Sequence, residues 1–292
     1  MAGSRITDAL LLAHVNRLGE EHPPVPMESV DFTVRDPATM RARFAGVLDY
    51  LARVELEVER NVLELITIMP NPSVADRTFY ADVWMDQEIR HGEILDELKR
   101  RIELPDTEPE LHVGFAVRAL GVMAHLEPVQ DVARTIYYLT GASTERQAVL
   151  AYNALATQLD ELGEKATRET IINPIKRQEP GHFAFYRMSA EKILTDGTLK
   201  PWQVWLAQRL RTFSYEMVGE NHNPKYIAQM GEVMVELGFS EQLEVFAKEI
   251  GRLEAQLLWA QHQGMDFPPY VLASMRDAVA MYRERGSFLA NL

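Results

Sequence analysis

Glu-x-x-His occurs twice in this chain, as Glu88-Ile-Arg-His91 and Glu179-Pro-Gly-His182, and both copies lie on apolar helical stripes. Residues three apart share one face of a helix, so a carboxylate and an imidazole at this spacing reach the same point. Around the first copy, Ala81, Trp84, Met85, Gly92 and Leu95 fall on that face; around the second, Ile172, Ile175, Phe183 and Tyr186 do. One such tetrad is weak, because a chain with eight histidines and many glutamates forms chance pairs on solvated helices. Two on apolar faces are a strong constraint. A buried carboxylate is costly unless it is paired or bound to a metal. The chain must therefore bring several helices together and let them compensate one another.

Helical periodicity runs through nearly the whole sequence, and alternating β-type runs are hard to find. The spacing predicts a long helix over 37–69, with Leu48, Leu51, Val54, Val58, Val62 and Leu65 on one stripe. Pro70-Asn71-Pro72-Ser73 ends it, and a second long helix runs to about Glu103. After a break at 105–109 comes a shorter apolar segment, 111–126. A helix is predicted over 128–163, with Gly141 as a place where it could break, and another over 166–196 after a turn at Gly163. About three shorter helices fill 201–286, punctuated by Asn223-Pro224, Gly238 and Pro268-Pro269. Helices of about thirty residues span about 45 Å each. Four of them in two adjacent pairs form an extended all-α bundle with a core of about 37–196, the remaining helices packing outside it, within a single domain of 1–292.

A core-facing glutamate on the helix before each tetrad completes the pattern. Glu145 stands one helix ahead of Glu179, and its helical neighbours Tyr138, Ala142, Ala148, Val149 and Tyr152 are small or apolar, so it points inward. The first tetrad has two candidates one turn apart on the apolar face, Glu55 and Glu59. Glu55 precedes Glu88 by almost the same length of chain as Glu145 precedes Glu179, whereas Glu59 lies a turn closer. Two similar hairpins should have similar separations, which favours Glu55. Glu57 shares its face with Arg53, Arg60, Asn61 and Glu64 and is expected to be solvated. One glutamate from each of two helices, with Glu-x-x-His from each of the other two, is the ligand set of ferritin-like di-metal carboxylate bundles. Four carboxylates (Glu55, Glu88, Glu145, Glu179) and two imidazoles (His91, His182) fit two divalent ions. Iron is the expected metal, with manganese or a mixed pair as the alternative. Open positions on such ions bind dioxygen.

Composition removes competing chemistries. There is no cysteine, so disulfides, iron–sulfur clusters, thiolate zinc and cysteine nucleophiles are excluded within the chain. The net charge of −13 argues against a nucleic-acid partner and against anionic membranes. The densest basic run, Lys99-Arg100-Arg101, reads as a charge set at a helix C-terminus. Glycine-rich phosphate loops and a Gly-x-Ser-x-Gly elbow are absent. No uninterrupted apolar stretch is long enough to span a bilayer, and the N-terminus lacks a leader pattern, so a cytoplasmic location is expected. His112, His125, His222 and His262 lack partners at metal spacing and read as structural or surface residues, while His14 and His22 lie outside the bundle. Trp84, Tyr137, Tyr138, Tyr152 and Tyr186 fit aromatic packing near the site, with electron transfer as the alternative.

Trp84-Met-Asp-Gln-Glu-Ile-Arg-His-Gly92 resembles the Trp-x-Ala-Glu-Glu-Asn-Arg-His-Gly signature of the soluble acyl-carrier-protein desaturases. Thr144-Glu145-Arg146 resembles that family's Gln-Glu-Arg, and Arg177-Gln-Glu-Pro-Gly-His182 falls where it has Glu-Lys-Arg-His. The resemblance covers roughly residues 45–195. It departs at Pro180-Gly181, which replaces a charged pair, and at the first metal helix, which lacks Glu-Glu-x-x-x-Pro-Thr-Tyr. It implies a di-iron oxidoreductase that removes hydrogen from an acyl chain, using dioxygen and an external electron donor, in a homodimer. An oxygenase or N-oxygenase of a small metabolite, and a non-catalytic iron-binding protein, are the alternatives. The Pro-Gly pair predicts a helix kinked at the site.

Overall fold

The computed structural model describes residues 6–292, apart from the side chains at positions 115, 116, 119, 120 and 291. Residues 1–5, part of the stretch read as lacking a leader, lie outside it. Among the described residues the protein is all-helical, without a strand. Of the prolines that read as breaks, Pro224 and Pro269 open helices, where the missing N–H is an orphan in any case, whereas Pro70, Pro72, Pro105 and Pro109 lie between helices. Asp36 caps α2 (Pro37–Leu56) by accepting from the Thr39 N–H at 3.0 Å, with Pro37 in the first turn. Ser73 and Asp76 form a reciprocal capping box on α4 (Val74–Thr78).

The structure departs from the sequence expectation at two places that matter for the site. The expected helix over 37–69 is two, α2 and α3 (Val58–Ile68), joined at Glu57. Glu57 is buried rather than solvated. Arg53 (2.9 Å) and Arg60 (3.0 Å) pair with it from one turn on either side, and the Glu110 N–H donates to it. A helical wheel places Arg53, Glu57 and Arg60 on one face but cannot show that Glu110, Gly219 and Asn221, remote in sequence, cover that face. Secondly, the two tetrad helices are each entered through a wide π turn. Phe79–Trp84 leads from α4 into α5 (Met85–Arg101), and Thr167–Ile172 leads into α8 (Asn173–Thr195). Such turns are rare and concentrate at functional sites.

The apolar segment before Pro128 holds α6 (Phe115–Ala124). α7 (Glu127–Leu162) passes Gly141 unbroken, and α8 passes Pro180 without ending. Four helices, not three, occupy the C-terminal third: α9 (Pro201–Ser214), α10 (Pro224–Glu236), α11 (Leu243–Leu257) and α12 (Pro269–Arg285). The basic run does end α5. Its Lys99 is buried against Asp49 at 2.6 Å, and Arg100 pairs with Asp96 and Asp106. No described helix is long and apolar enough to cross a membrane.

α2 packs on α5, and α7 on α8, while α10 covers α2 and α9 and α11 lie against α7. An additional N-terminal helix, α1 (Asp8–Glu21), packs against α4, its π turn and α8. The buried apolar residues form two clusters. One contains Leu51, Ile94, Tyr152 and Ile175 with the C-terminal helices; the other contains Val58, Trp84, Tyr138 and Tyr186 with α1. The tetrads and their partner glutamates fall between the two. α10 crosses α12 closely at Gly231. A Cβ added there would collide with the Ala278 carbonyl oxygen, which is backbone and cannot rotate away. Gly231→Ala is therefore expected to cost about 1–3 kcal/mol through overpacking. Gly114→Ala, where a Cβ meets no neighbouring atom, should stay within about 0.5 kcal/mol. Urea unfolding of the two variants checks the contrast, and equal stabilities would refute it.

Candidate metal centre

Four helices each present their polar residues from an otherwise apolar stripe. α2 supplies Glu55, α5 supplies Glu88 and His91, α7 supplies Glu145, and α8 supplies Glu179 and His182. All six are buried, the most accessible being Glu55 at 6%. They converge as two overlapping groups. Glu55, Glu88, His91 and Glu179 form one, and Glu88, Glu145, Glu179 and His182 form the other. Within each group the potential ligand atoms lie within 4.8 Å of one another. Glu88 and Glu179 belong to both, so the groups are two halves of one centre. Glu59 is exposed and outside it, which separates the two first-helix candidates by position.

Nδ1 of His91 lies 3.4 Å from Glu179, 3.6 Å from Glu88 and 3.7 Å from Glu55. Nδ1 of His182 lies 2.9 Å from Glu88 and 3.6 Å from both Glu145 and Glu179. These approaches are not hydrogen bonds. Both Nδ1 atoms and one oxygen each of Glu88 and Glu179 are buried without a hydrogen-bond partner. Orphaned buried polar atoms are expensive, and here four of them converge. Oxygen-rich donors with one imidazole per half match a pair of hard or borderline divalent cations. The residues therefore fit the di-metal group their sequence pattern implies.

No known family, curated protein or solved structure matches this chain.

The contacts around the centre are specific. Glu145 accepts from the Trp84 indole N–H at 3.2 Å, and Glu55 accepts from the Tyr152 hydroxyl. The carboxylate contributed by each partner helix thus has one oxygen held by an aromatic donor. Each imidazole turns Nε2 away from the cluster toward a glutamine. Periodicity alone marks Trp84 and Tyr152 as aromatic packing and passes over Gln87 and Gln178 altogether. A signal for the glutamines does exist, since glutamine directly precedes the glutamate in both tetrads. The four histidines without metal spacing, His112, His125, His222 and His262, are exposed.

Two cavities meet at the centre. One is apolar: Glu55, Glu88, Glu145 and Glu179 line it together with Leu51, Val54, Ala151, Met230, Met234 and Ile250 from α2, α7 and the C-terminal helices. The second is more polar, lined by Trp84 and Glu145 with Arg60, Asn61, Glu64 and Glu216.

Electrostatics place protons where a cation would sit. Burial, reinforced by the Glu88 charge, pushes Glu55 well above the usual carboxylate range. Burial opposes ionisation of Glu88 as well, but the neighbouring Glu55 carboxyl and His182 hold it well below that range. Burial pushes Glu145 up to about 8. Burial disfavours charged imidazoles, yet the surrounding carboxylates raise His91 and His182 well above the usual histidine value. A cation must displace these protons. Without metal Glu145 is mostly protonated at pH 7 and deprotonated above about 8. Affinity for a divalent ion is therefore expected to rise with pH through that value, with protons released on binding. Calorimetric titration in buffers of different ionisation enthalpy measures this, and identical heats in all buffers would contradict it.

Proposed function

We propose that this chain is a ferritin-like di-metal carboxylate oxidoreductase that uses two iron ions, or manganese in their place, and dioxygen to oxidise a largely apolar substrate. One observation carries the reading: two four-residue ligand groups share Glu88 and Glu179, and their four glutamates line an apolar cavity. Bound metals would supply the reduction of dioxygen. The protein's own residues do the rest. Glu88 and Glu179, common to both ligand groups, would help hold both ions. Glu55 with His91 would complete one ligand group, and Glu145 with His182 the other. Tyr152 and Trp84 fix the outer oxygens of Glu55 and Glu145. The apolar walls exclude water and present a hydrocarbon segment to the centre.

Together with the family resemblance, this supports dehydrogenation of an acyl-type chain. In that reaction dioxygen takes two hydrogens from the substrate, and two electrons and two protons through an external donor, to give two waters and a double bond. The more polar cavity, lined by Arg60, Glu64 and Glu216, favours a second reading, oxygenation of a smaller polar metabolite.

Anaerobic reconstitution should load two irons per chain, and Glu145→Ala or His182→Ala should each lose at least one. Retention of two metals in both variants would sink the assignment. Oxygen uptake with a reductant then separates the chemistries: a new double bond marks a dehydrogenase, and an inserted oxygen marks an oxygenase. Iron oxidation that consumes no organic substrate marks a storage protein. Ala151→Phe, which fills the apolar cavity, is expected to keep both metals and raise KM for a long-chain substrate at least about tenfold, in the range that a few methylenes of lost pocket contact are worth.

A further inference from the structure

We infer that Gln87 and Gln178 are positioning residues that act across the centre, each orienting the imidazole of the opposite tetrad, and that the backbone carbonyl of His22 yokes the two together. The inference rests on the metal-centre reading for its consequence but on hydrogen bonds for its geometry.

Gln87 Oε1 lies 2.5 Å from Nε2 of His182, and Gln178 Oε1 lies 2.5 Å from Nε2 of His91. The pairing is crossed: the glutamine beside Glu88 on α5 serves the histidine on α8, and the converse. Both amide groups donate to one acceptor. Gln87 Nε2 donates to the His22 carbonyl, and Gln178 Nε2 donates to the same oxygen at 3.1 Å and to the Pro23 carbonyl at 2.7 Å. This fixes which way each amide points. A carboxamide has its donors on nitrogen and its acceptor on oxygen, and a backbone carbonyl can only accept. The oxygens must therefore face the imidazoles, and each imidazole must donate from Nε2. In the neutral ring that leaves the Nδ1 lone pair for the centre, where both Nδ1 atoms lack a hydrogen-bond partner. Gln87 and Gln178 are 1% and 3% exposed, so bulk water offers no alternative partner.

His22 is held in place by the helix it ends. α1 buries Leu11, Val15 and Leu18. The Leu18 side chain occupies the space that a Cβ on Gly181 would need. Nε2 of His14 donates to the Gly181 carbonyl at 3.0 Å. Gly181 stands between Glu179 and His182, so the small residue inside the second tetrad is what admits α1. A single N-terminal carbonyl thereby sets both histidines. Groups in this relation to a ligand change metal affinity by about 10–100-fold when removed.

The test uses the full chain with Gln87→Leu and Gln178→Leu, and Gln87→Glu and Gln178→Glu as variants that keep an acceptor. In metal-free protein labelled with 15N-histidine, the Nε2–H signals of His91 and His182 are expected to exchange slowly with water. Gln87→Leu should abolish the His182 signal alone and Gln178→Leu the His91 signal alone, while the Glu variants retain them. Cobalt(II) titration should show one of two equivalents weakened about 10–100-fold in each Leu variant. In a His182→Ala background, Gln87→Leu should add nothing while Gln178→Leu still weakens the remaining ion. Loss of the same-side signal, or unchanged signals in both Leu variants, overturns the yoke. Wild-type protein that binds no divalent ion yet shows the crossed signal losses upholds the yoke and overturns the metal reading instead.

Discussion

The structure depends on gathering four carboxylates and two imidazoles in an interior that would otherwise be hydrocarbon. Charged groups taken out of water are destabilising unless attraction and hydrogen bonds offset the desolvation. Here the compensation is partial within the chain. Glu55 and Glu145 each have an aromatic donor on one oxygen, and the imidazoles have glutamine partners on Nε2. The atoms left over all face the same small volume. Apolar side chains would serve stability alone better than such a cluster. A bound metal would supply the compensation that the chain itself leaves out.

That requirement explains the arrangement of the apolar core. The contributing segments change allegiance at the centre: Leu51 on α2 and Val58 at the start of α3 flank Glu55, and Tyr152 and Tyr138 on α7 flank Glu145, with members of the two hydrophobic clusters on either side. The polar layer thereby has packed apolar residues above and below it along the helices. The wide turns before α5 and α8 are consistent with the same demand, since each tetrad must meet its counterpart in register.

Much of this was legible in the sequence, because helical periodicity is a local property. The spacing of Glu88, His91, Glu145, Glu179 and His182 identified residues that converge in space. The matched chain separation between each lone glutamate and its tetrad picked Glu55 over Glu59. What escaped was non-local or irregular. The burial of Glu57 is non-local: Arg53 and Arg60 share its face at helical spacing, but Glu110 and Asn221, far away in sequence, are what cover it. The π turns leave no mark on a hydrophobic stripe. The role of His22 could not be foreseen, since it acts through a backbone carbonyl that any residue could have supplied. Gln87 and Gln178 did carry a signal, the repeated Gln-Glu-x-x-His, but a glutamine on a helix usually means only solvent.

The near symmetry of the ligands contrasts with the asymmetry of what surrounds them. On the α5 and α8 side, α1 and the two glutamines close the centre with packed side chains and directed hydrogen bonds. On the α2 and α7 side, the apolar cavity runs toward α10, α11 and α12. One side is held by directed hydrogen bonds, the other by apolar walls. The C-terminal third contributes Met230, Met234 and Ile250 to those walls. Methionine suits such walls, because its flexible, polarisable side chain adapts to irregular apolar space. The ligands by themselves do not distinguish the proposed oxidation from storage of metal. The lopsided enclosure, with apolar walls beside the α2 and α7 carboxylates, is what supports the proposal of a largely apolar substrate.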